Sequence, residues 1–361
     1  MAKILVVRFS ALGDVAMTVP VLYSFARRYP QHQLVVLSRP HMACLFENAP
    51  ANLTFREADL KGKYKGFKGL LRLSGELRKE SFDAVADLHD VLRSKVIDWG
   101  FRLCGIPVAV INKGRKEKKQ LTAARHKRLV PLRKSIQRYV DVFNKLGFEF
   151  PLTFQSLFED VPADVSFAEE DFSDKTIKYV GIAPFAAHPG KIYPLDKMEE
   201  VIASLAKVPD VRVLLFGGGK REKDLLETWQ SRYSGVFSLA GKYRLGQELA
   251  IMSKLSVMVA MDSGNMHLAS LVRVPVVSIW GATHPYAGFM PWGEERTTVI
   301  QTDLPCRPCS IFGNKPCWLH RSAEDCGRGG QNHAFLLTGR GKISTFAFIM
   351  LPWAAGDLFM K

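Results

Sequence analysis

From Lys3 to Trp280 the chain alternates short apolar runs with longer amphipathic stretches, and that rhythm leaves few folds open. The runs Lys3–Phe9, Gln33–Ser38, Ala84–Leu88 and Val108–Ile111 are nearly continuous in apolar residues, as expected of strands covered on both faces of a parallel sheet. Between and after them the spacing predicts helices over Asp14–Tyr29, Val91–Leu103 and Ser135–Leu146, with Pro151 closing this half. Residues 161 to 178 are acidic and aperiodic and read as a linker. The rhythm then restarts with strands over Tyr179–Pro184, Val211–Phe216, Phe237–Leu239, Val257–Ala260 and Val274–Trp280. Helices are expected over Leu195–Lys207, Lys220–Tyr233, Leu245–Lys254 and Gly264–Leu271. The expected fold class is α/β, two Rossmann-like doubly wound domains with ligands at the carboxyl ends of their strands. Their expected bounds are 1–165 and 166–326, with an atypical tail over 327–361.

Charge divides the same way. Residues 1–150 hold 28 Lys and Arg against 13 Asp and Glu, leaving 22 of each sign for the rest, so the whole surplus of +15 lies in the first half. Such an asymmetry points to a polyanionic partner met by one half: nucleic acid, an anionic membrane or an acidic substrate. No nucleic-acid module or aromatic-interleaved platform is present, and nucleic acid is not expected as a partner. Met1-Ala2-Lys3 runs directly into an apolar strand too short for a signal sequence, and no charge-free run of transmembrane length occurs. A cytoplasmic protein is the expectation.

Four strand ends carry chemistry. Ser10-Ala11-Leu12-Gly13-Asp14 joins the first strand to its helix, where Asp14 is either a helix N-cap or a general base. The turn lacks the G-x-G-x-x-G fingerprint of dinucleotide sites. Lys191, in the loop after Tyr179–Pro184, can reach a pyrophosphate as a point charge; most isolated lysines are simply solvated. Gly217-Gly218-Gly219 precedes Glu222, which either binds ribose hydroxyls or favours the helix dipole. The strongest pattern is Asp262-Ser263-Gly264-Asn265-Met266-His267, small residues and free amides at a helix start with a histidine one turn in. Trp280-Gly281-Ala282-Thr283 supplies another small-residue turn beside it.

Ser10-Ala11-Leu12-Gly13-Asp14-Val15 with Thr18 and Pro20, the Asp262–Ala269 segment and Trp280-Gly281-Ala282-Thr283 together resemble glycosyltransferase family 9, the ADP-heptose:lipopolysaccharide heptosyltransferases of Gram-negative bacteria. The resemblance covers roughly residues 1 to 318. It implies a GT-B fold, the first domain holding the acceptor, the second the nucleotide sugar, with a cleft between them. It places Asp14 on the family's catalytic aspartate, a general base for an inverting displacement. Lys191 matches the donor-phosphate lysine and Glu222 the ribose-holding acid. Asp262, Ser263, Gly264 and His267 fall on the donor motif, and Lys242 lies near the nucleotide base. No metal is implied, since Lys191 and helix amides can neutralise the leaving diphosphate and no Asp-x-Asp pair is placed to chelate an ion.

Two basic segments fall in the acceptor half: Lys61 to Lys79, and Lys113 to Arg128 with Glu117 its single acid. Such runs are usually solvated surface. Here Gly13, Lys61, Lys65, Arg93, Arg115, Lys116 and Lys119 are expected to meet an anionic glycolipid of lipid A and Kdo type, with the protein peripheral on the cytoplasmic face of the inner membrane. Asp87-Leu88-His89 and Arg93-Ser94 are expected near the same acceptor. Cys306, Cys309, Cys317 and Cys326 are enough for a tetrahedral zinc, but their spacing is irregular and free thiols are the expectation. Beyond Trp318 the chain departs from the family: Gly327–Gly330 and Leu336–Lys342 are rich in Gly and Arg, and Ile343–Met360 is apolar with Pro352. The competing functions are transfer of another nucleotide sugar to a different glycan, and an inactive paralogue that binds glycolipid or nucleotide.

Overall fold

A computed structural model describes residues 1–304 and 306–315, which divide into two compact units. The first comprises Met1–Gly114 and Arg133–Pro162, the second Arg115–Leu132 and the chain from Ala163 onward. The second basic segment thus belongs mostly to the second unit, not to the half expected from chain order.

In the first unit β1 (Lys3–Val7), α1 (Leu12–Ala16), α2 (Val19–Arg28), β2 (Gln33–Ser38) and β3 (Leu53–Glu57) are followed by α3 (Gly66–Arg78), β4 (Ala84–Asp87), α4 (Leu92–Leu103) and β5 (Val108–Val110). After α5 (Arg115–Leu121) in the second unit, α6 (Ser135–Lys145) returns to the first. The strands form one parallel sheet in the order β3-β2-β1-β4-β5, with Leu5 opposite Val35 and Val85. Leu5, Val7, Val35, Leu37, Val85, Ile97 and Phe101 make its core. An aromatic cluster holds the returning segment: Phe25 meets Phe143 at 4.9 Å and Phe150 at 5.3 Å.

Three elements of the first unit depart from the sequence expectation. The single helix over Asp14–Tyr29 is two, because Pro20 lacks the N–H a continuous helix would need there and is tolerated instead in the first turn of α2. β3 escaped detection as a short edge strand carrying Arg56 and Glu57. Helix α3 was hidden by its basic residues and glycines, yet Leu70, Leu73 and Leu77 give it one buried stripe. Gly69 is required there, since a Cβ would lie 2.3 Å from the Tyr64 carbonyl carbon.

The second unit contains β6 (Lys178–Ala183), α7 (Leu195–Leu205), β7 (Val211–Leu215), α8 (Lys220–Arg232), β8 (Val236–Ser238), α9 (Leu245–Met252), β9 (Val257–Met261), α10 (Gly264–Leu271), β10 (Val276–Trp280) and β11 (Thr297–Gln301). They form a parallel sheet in the order β11-β10-β9-β6-β7-β8 around a core that includes Val180, Ile182, Met198, Val213, Trp229 and Val259. β11, with no fully buried residue, is another edge strand that sequence reading missed. In both sheets strand order reverses beside the first strand of the unit, between β1 and β4 and between β6 and β9. Ligands of open α/β sheets bind at such switch points.

Candidate active site

Asp14 stands at the switch point of the first sheet. Asp14 is not the N-cap expected of it: Ala11 holds that place, and Asp14, third in α1, reaches back so that its Oδ2 accepts from the Ala11 N–H at 3.1 Å. The same oxygen lies 2.7 Å from Nη2 of Arg8, whose side chain is almost wholly buried while that of Asp14 is 29% exposed. Arg8 Nη1 donates to the Leu88 carbonyl at 2.6 Å, and its guanidinium lies over the Tyr139 ring. Asp14 is therefore a partly exposed carboxylate held rigidly from below by a buried cation. Sequence reading missed Arg8 and Tyr139; an arginine at the end of an otherwise apolar strand was the available signal.

The β4 end is built differently from expectation. Asp87 is fully buried and accepts from the His89 and Asp90 N–H groups at 2.7 and 3.0 Å and from Ser94 Oγ at 2.8 Å, so Asp87 and Ser94 shape a turn rather than face an acceptor. His89 Nδ1 accepts from the Phe9 N–H at 3.3 Å, which ties the β4 turn to the β1 turn. Burial, with the positive charges of Arg8 and Lys113, pushes its pKa down to about 3, so the ring is neutral and serves as an acceptor. Behind this turn, burial and the neighbouring Asp87 raise the Asp98 carboxyl pKa. Gly13 lies within α1, and Lys61, Lys65 and Arg93 are exposed in the first unit.

Arg115, Lys116 and Lys119 are exposed on α5, in the second unit. Their segment is fastened there by Lys118 over the Phe289 ring, by the Leu132 N–H to the Tyr286 carbonyl, and by Lys127 Nζ to the carbonyls of Cys306 and Pro308 at 2.6 and 2.9 Å. Contacts distant in sequence decided this placement.

At the second switch point, Lys191 Nζ lies 2.8 Å from Asp262 Oδ2, joining the loop after β6 to the end of β9. The walls are close-packed: the Ala282 N–H donates to the Gly190 carbonyl at 2.7 Å, and a Cβ on Gly190 would come within 2.6 Å of the Gly313 carbonyl oxygen. Ser263 sits at the N-cap of α10, yet its hydroxyl makes no cap hydrogen bond, and its buried Oγ has no partner among the described residues. Thr283 Oγ1 is buried and unpartnered in the same sense. Gly264 opens α10, and His267 is buried one turn in. The Lys191 ammonium, the unused Ser263 hydroxyl and the amides at the start of α10 are hydrogen-bond donors of the kind that hold an anion.

Glu222 Oε2 accepts from the Gly218 N–H at 2.7 Å and lines a cavity of about 480 Å³ with Phe185, Tyr193 and Arg221. Lys242 instead pairs with Glu169 at 2.9 Å. A feature absent from the sequence reading braces the Trp280–Thr283 turn. The buried guanidinium of Arg307 donates to the carbonyls of Trp280, Gly281, Thr283 and Thr302, and burial lowers its pKa only to about 10, so it stays charged. Among the described residues Cys306 and Cys309 form no disulfide; Cys317, Cys326 and the apolar run Ile343–Met360 lie outside the described residues. Among the described residues no group of three His, Cys, Asp or Glu side chains is placed to hold a metal, and no helix is long and apolar enough to cross a membrane.

The fold agrees with that of solved transferases. It superposes on the E. coli heptosyltransferase WaaC with ADP at a TM-score of 0.63 and 17% identity, covering 86% of this chain and 95% of that one. The E. coli iron-containing dodecameric glycosyltransferase TibC aligns at a TM-score of 0.56 and 15% identity, over 97% of this chain and 77% of that one. The fold is GT-B, the architecture of two parallel α/β units. Among relatives in sequence, the lipopolysaccharide core heptosyltransferase OpsX of Haemophilus influenzae is 24% identical over 78% of this chain and 79% of its own. Lipopolysaccharide heptosyltransferase 3 of Escherichia coli K12 is 26% identical over 78% and 83%. The profile of glycosyltransferase family 9 (heptosyltransferase) matches residues 70–315. The chain belongs to glycosyltransferase family 9, and it is an enzyme that transfers a sugar.

Proposed function

We propose that the protein moves heptose from ADP-heptose to the Kdo and inner-core region of lipopolysaccharide, with inversion at the anomeric carbon. The observation that carries this is the Lys191–Asp262 pair with the unused Ser263 hydroxyl at the start of α10, together with the Arg8-held carboxylate of Asp14 at the equivalent switch point of its own unit. The acceptor hydroxyl oxygen bonds to the anomeric carbon as the bond from that carbon to the diphosphate oxygen breaks. Asp14 takes the hydroxyl proton, and ADP carries away the bonding electrons. Lys191 Nζ, Ser263 Oγ and the α10 amides meet the charge growing on the diphosphate, so the chain's own groups suffice without a metal. Gly264 lets the diphosphate approach the backbone, His267 supports the seat, Glu222 takes the ribose hydroxyls, and Lys242 lies towards the base.

On the acceptor, Gly13, Lys61, Lys65 and Arg93 of the first unit and Arg115, Lys116 and Lys119 of the second meet phosphates and Kdo carboxylates. The enzyme works at the cytoplasmic face of the inner membrane as a peripheral protein. The test is incubation of purified protein with ADP-heptose and Kdo-lipid A while ADP release is followed. Release that requires both substrates is the expected result. ADP binding without turnover would contradict the proposal and indicate an inactive paralogue; release only with another nucleotide sugar would contradict the assignment of heptose.

A further inference from the structure

Helices α3 and α4 pack side by side, and between them they expose five large apolar side chains. Gly100 meets Ser74, and Arg78 Nη1 reaches Cys104 Sγ at 3.7 Å, which sets a parallel register of 26 residues between the helices. On α3, Phe67 and Leu71 continue the stripe that runs through Ser74 and Arg78, the flank towards α4. On α4, Leu92, Trp99 and Leu103 are spaced by seven and four and share one stripe. Angular position puts that stripe between the α3-facing side, at Val96 and Gly100, and solvent. The two stripes therefore adjoin. Leu92, Phe67, Leu103 and Trp99 are 60 to 77% exposed, far beyond what scattered surface apolar residues explain.

Charge on these helices is one-sided. Lys68, Arg72, Arg93, Lys95 and Arg102 are exposed. The acid of α3, Glu76, is engaged by Lys63, Tyr64 and Arg72, and that of α4, Asp98, is buried. We propose that this α3–α4 face lies on an anionic lipid bilayer, with Trp99 and the leucines in the interfacial layer and the basic residues against lipid headgroups. A second copy of the chain would bring two cationic rims together across a two-fold axis, whereas a negative bilayer complements them. The inference deepens the proposed membrane-surface acceptor by naming the surface that docks.

The test is co-sedimentation of the full chain with phosphatidylglycerol–phosphatidylethanolamine vesicles, with phosphatidylcholine vesicles as control and no sugar substrate present. Wild type is expected to bind the anionic vesicles, more weakly at high salt. The triple variant Leu92→Glu, Trp99→Glu, Leu103→Glu is expected to bind at least about tenfold less, because three apolar anchors are lost and charge is reversed. These side chains are exposed, so its melting temperature and its ADP release on a water-soluble de-acylated acceptor stay as in wild type. The serine counterpart at the same three positions separates loss of apolar contact from added charge and is expected to weaken binding less. Vesicle binding equal to wild type in both variants would overturn the proposal. So would a wild type that ignores vesicles yet forms a dimer that the triple variant dissolves. ADP release on the soluble acceptor is read separately, so a failed docking surface and a failed transferase assignment are distinguishable.

Discussion

The two switch points are built on opposite principles. In the first unit the carboxylate proposed as the base is already served by its own chain: Arg8 Nη2 and the Ala11 N–H both engage Asp14 Oδ2, and Arg8 is fixed in turn by the Leu88 carbonyl. In the second, Lys191 and Asp262 stand at ion-pair distance, but Asp262 Oδ2, Ser263 Oγ and Thr283 Oγ1 are buried without a hydrogen-bond partner among the described residues. Buried polar groups are ordinarily paired, and the unused Ser263 hydroxyl at the start of α10 is where the proposed function seats an anion. A group that does chemistry must be held in position before the substrate arrives. A group that binds has to keep its hydrogen-bonding capacity unspent.

The contrast breaks most visibly at Asp14. Asp14→Asn keeps the shape and removes the base, and the rate of ADP release from ADP-heptose and acceptor is expected to fall by about 10²–10⁴-fold. A rate within a few-fold of wild type would remove Asp14 from the chemistry. Next comes Lys191→Ala, which deletes the seat's cation and leaves Asp262 buried and unpaired. ADP affinity measured by calorimetry is expected to fall by about 30-fold or more, the usual effect of truncating one partner of a buried charge pair. Ser263→Ala is milder. It removes one hydroxyl that the protein does not use, so ADP affinity should drop by about 3–10-fold, the worth of a single hydrogen bond, while the melting temperature does not fall. A lowered melting temperature would show that the hydroxyl serves the fold.

Away from the site, the two units also differ in a pair of opposed pH dependences, one in each. Burial lowers His89 from 6.5 to about 3, so between those values the unfolded chain binds more protons and His89 costs stability as pH falls. Burial raises Glu248 on α9 from 4.5 to about 7, so there the native state binds more protons and stability is lost as pH rises through that window. Hydrogen exchange followed by mass spectrometry on His89→Gln and Glu248→Gln should remove slopes of opposite sign, in β4 and α9 respectively. Slopes of the same sign would contradict the assignment.

The sequence made the alternation of strands and helices legible because strands buried on both faces are written as continuous apolar runs. What it hid were polar edge strands, β3 and β11, a short basic helix, α5, and a helix whose basic residues and glycines mask a buried leucine stripe, α3. At the site, Asp14, Lys191 and the Asp262–His267 motif stood out because they follow strands at switch points. Arg8, Tyr139 and Arg307 did not, since each acts through contacts far away in the chain: Arg8 with Leu88, Tyr139 with Arg8, Arg307 with the Trp280 turn. The attachment of Arg115–Leu132 to the second unit was invisible for the same reason. Lys127 meets Cys306 across 179 positions.

The division of labour between a prepared carboxylate and an unspent anion seat is tested most directly by the dissociation constant of ADP for the Asp14→Asn protein, measured by calorimetry. The account predicts the wild-type value in a protein that no longer turns over. An affinity that declines together with the rate would mean that Asp14 contributes to holding the nucleotide, and that the two units do not divide the work.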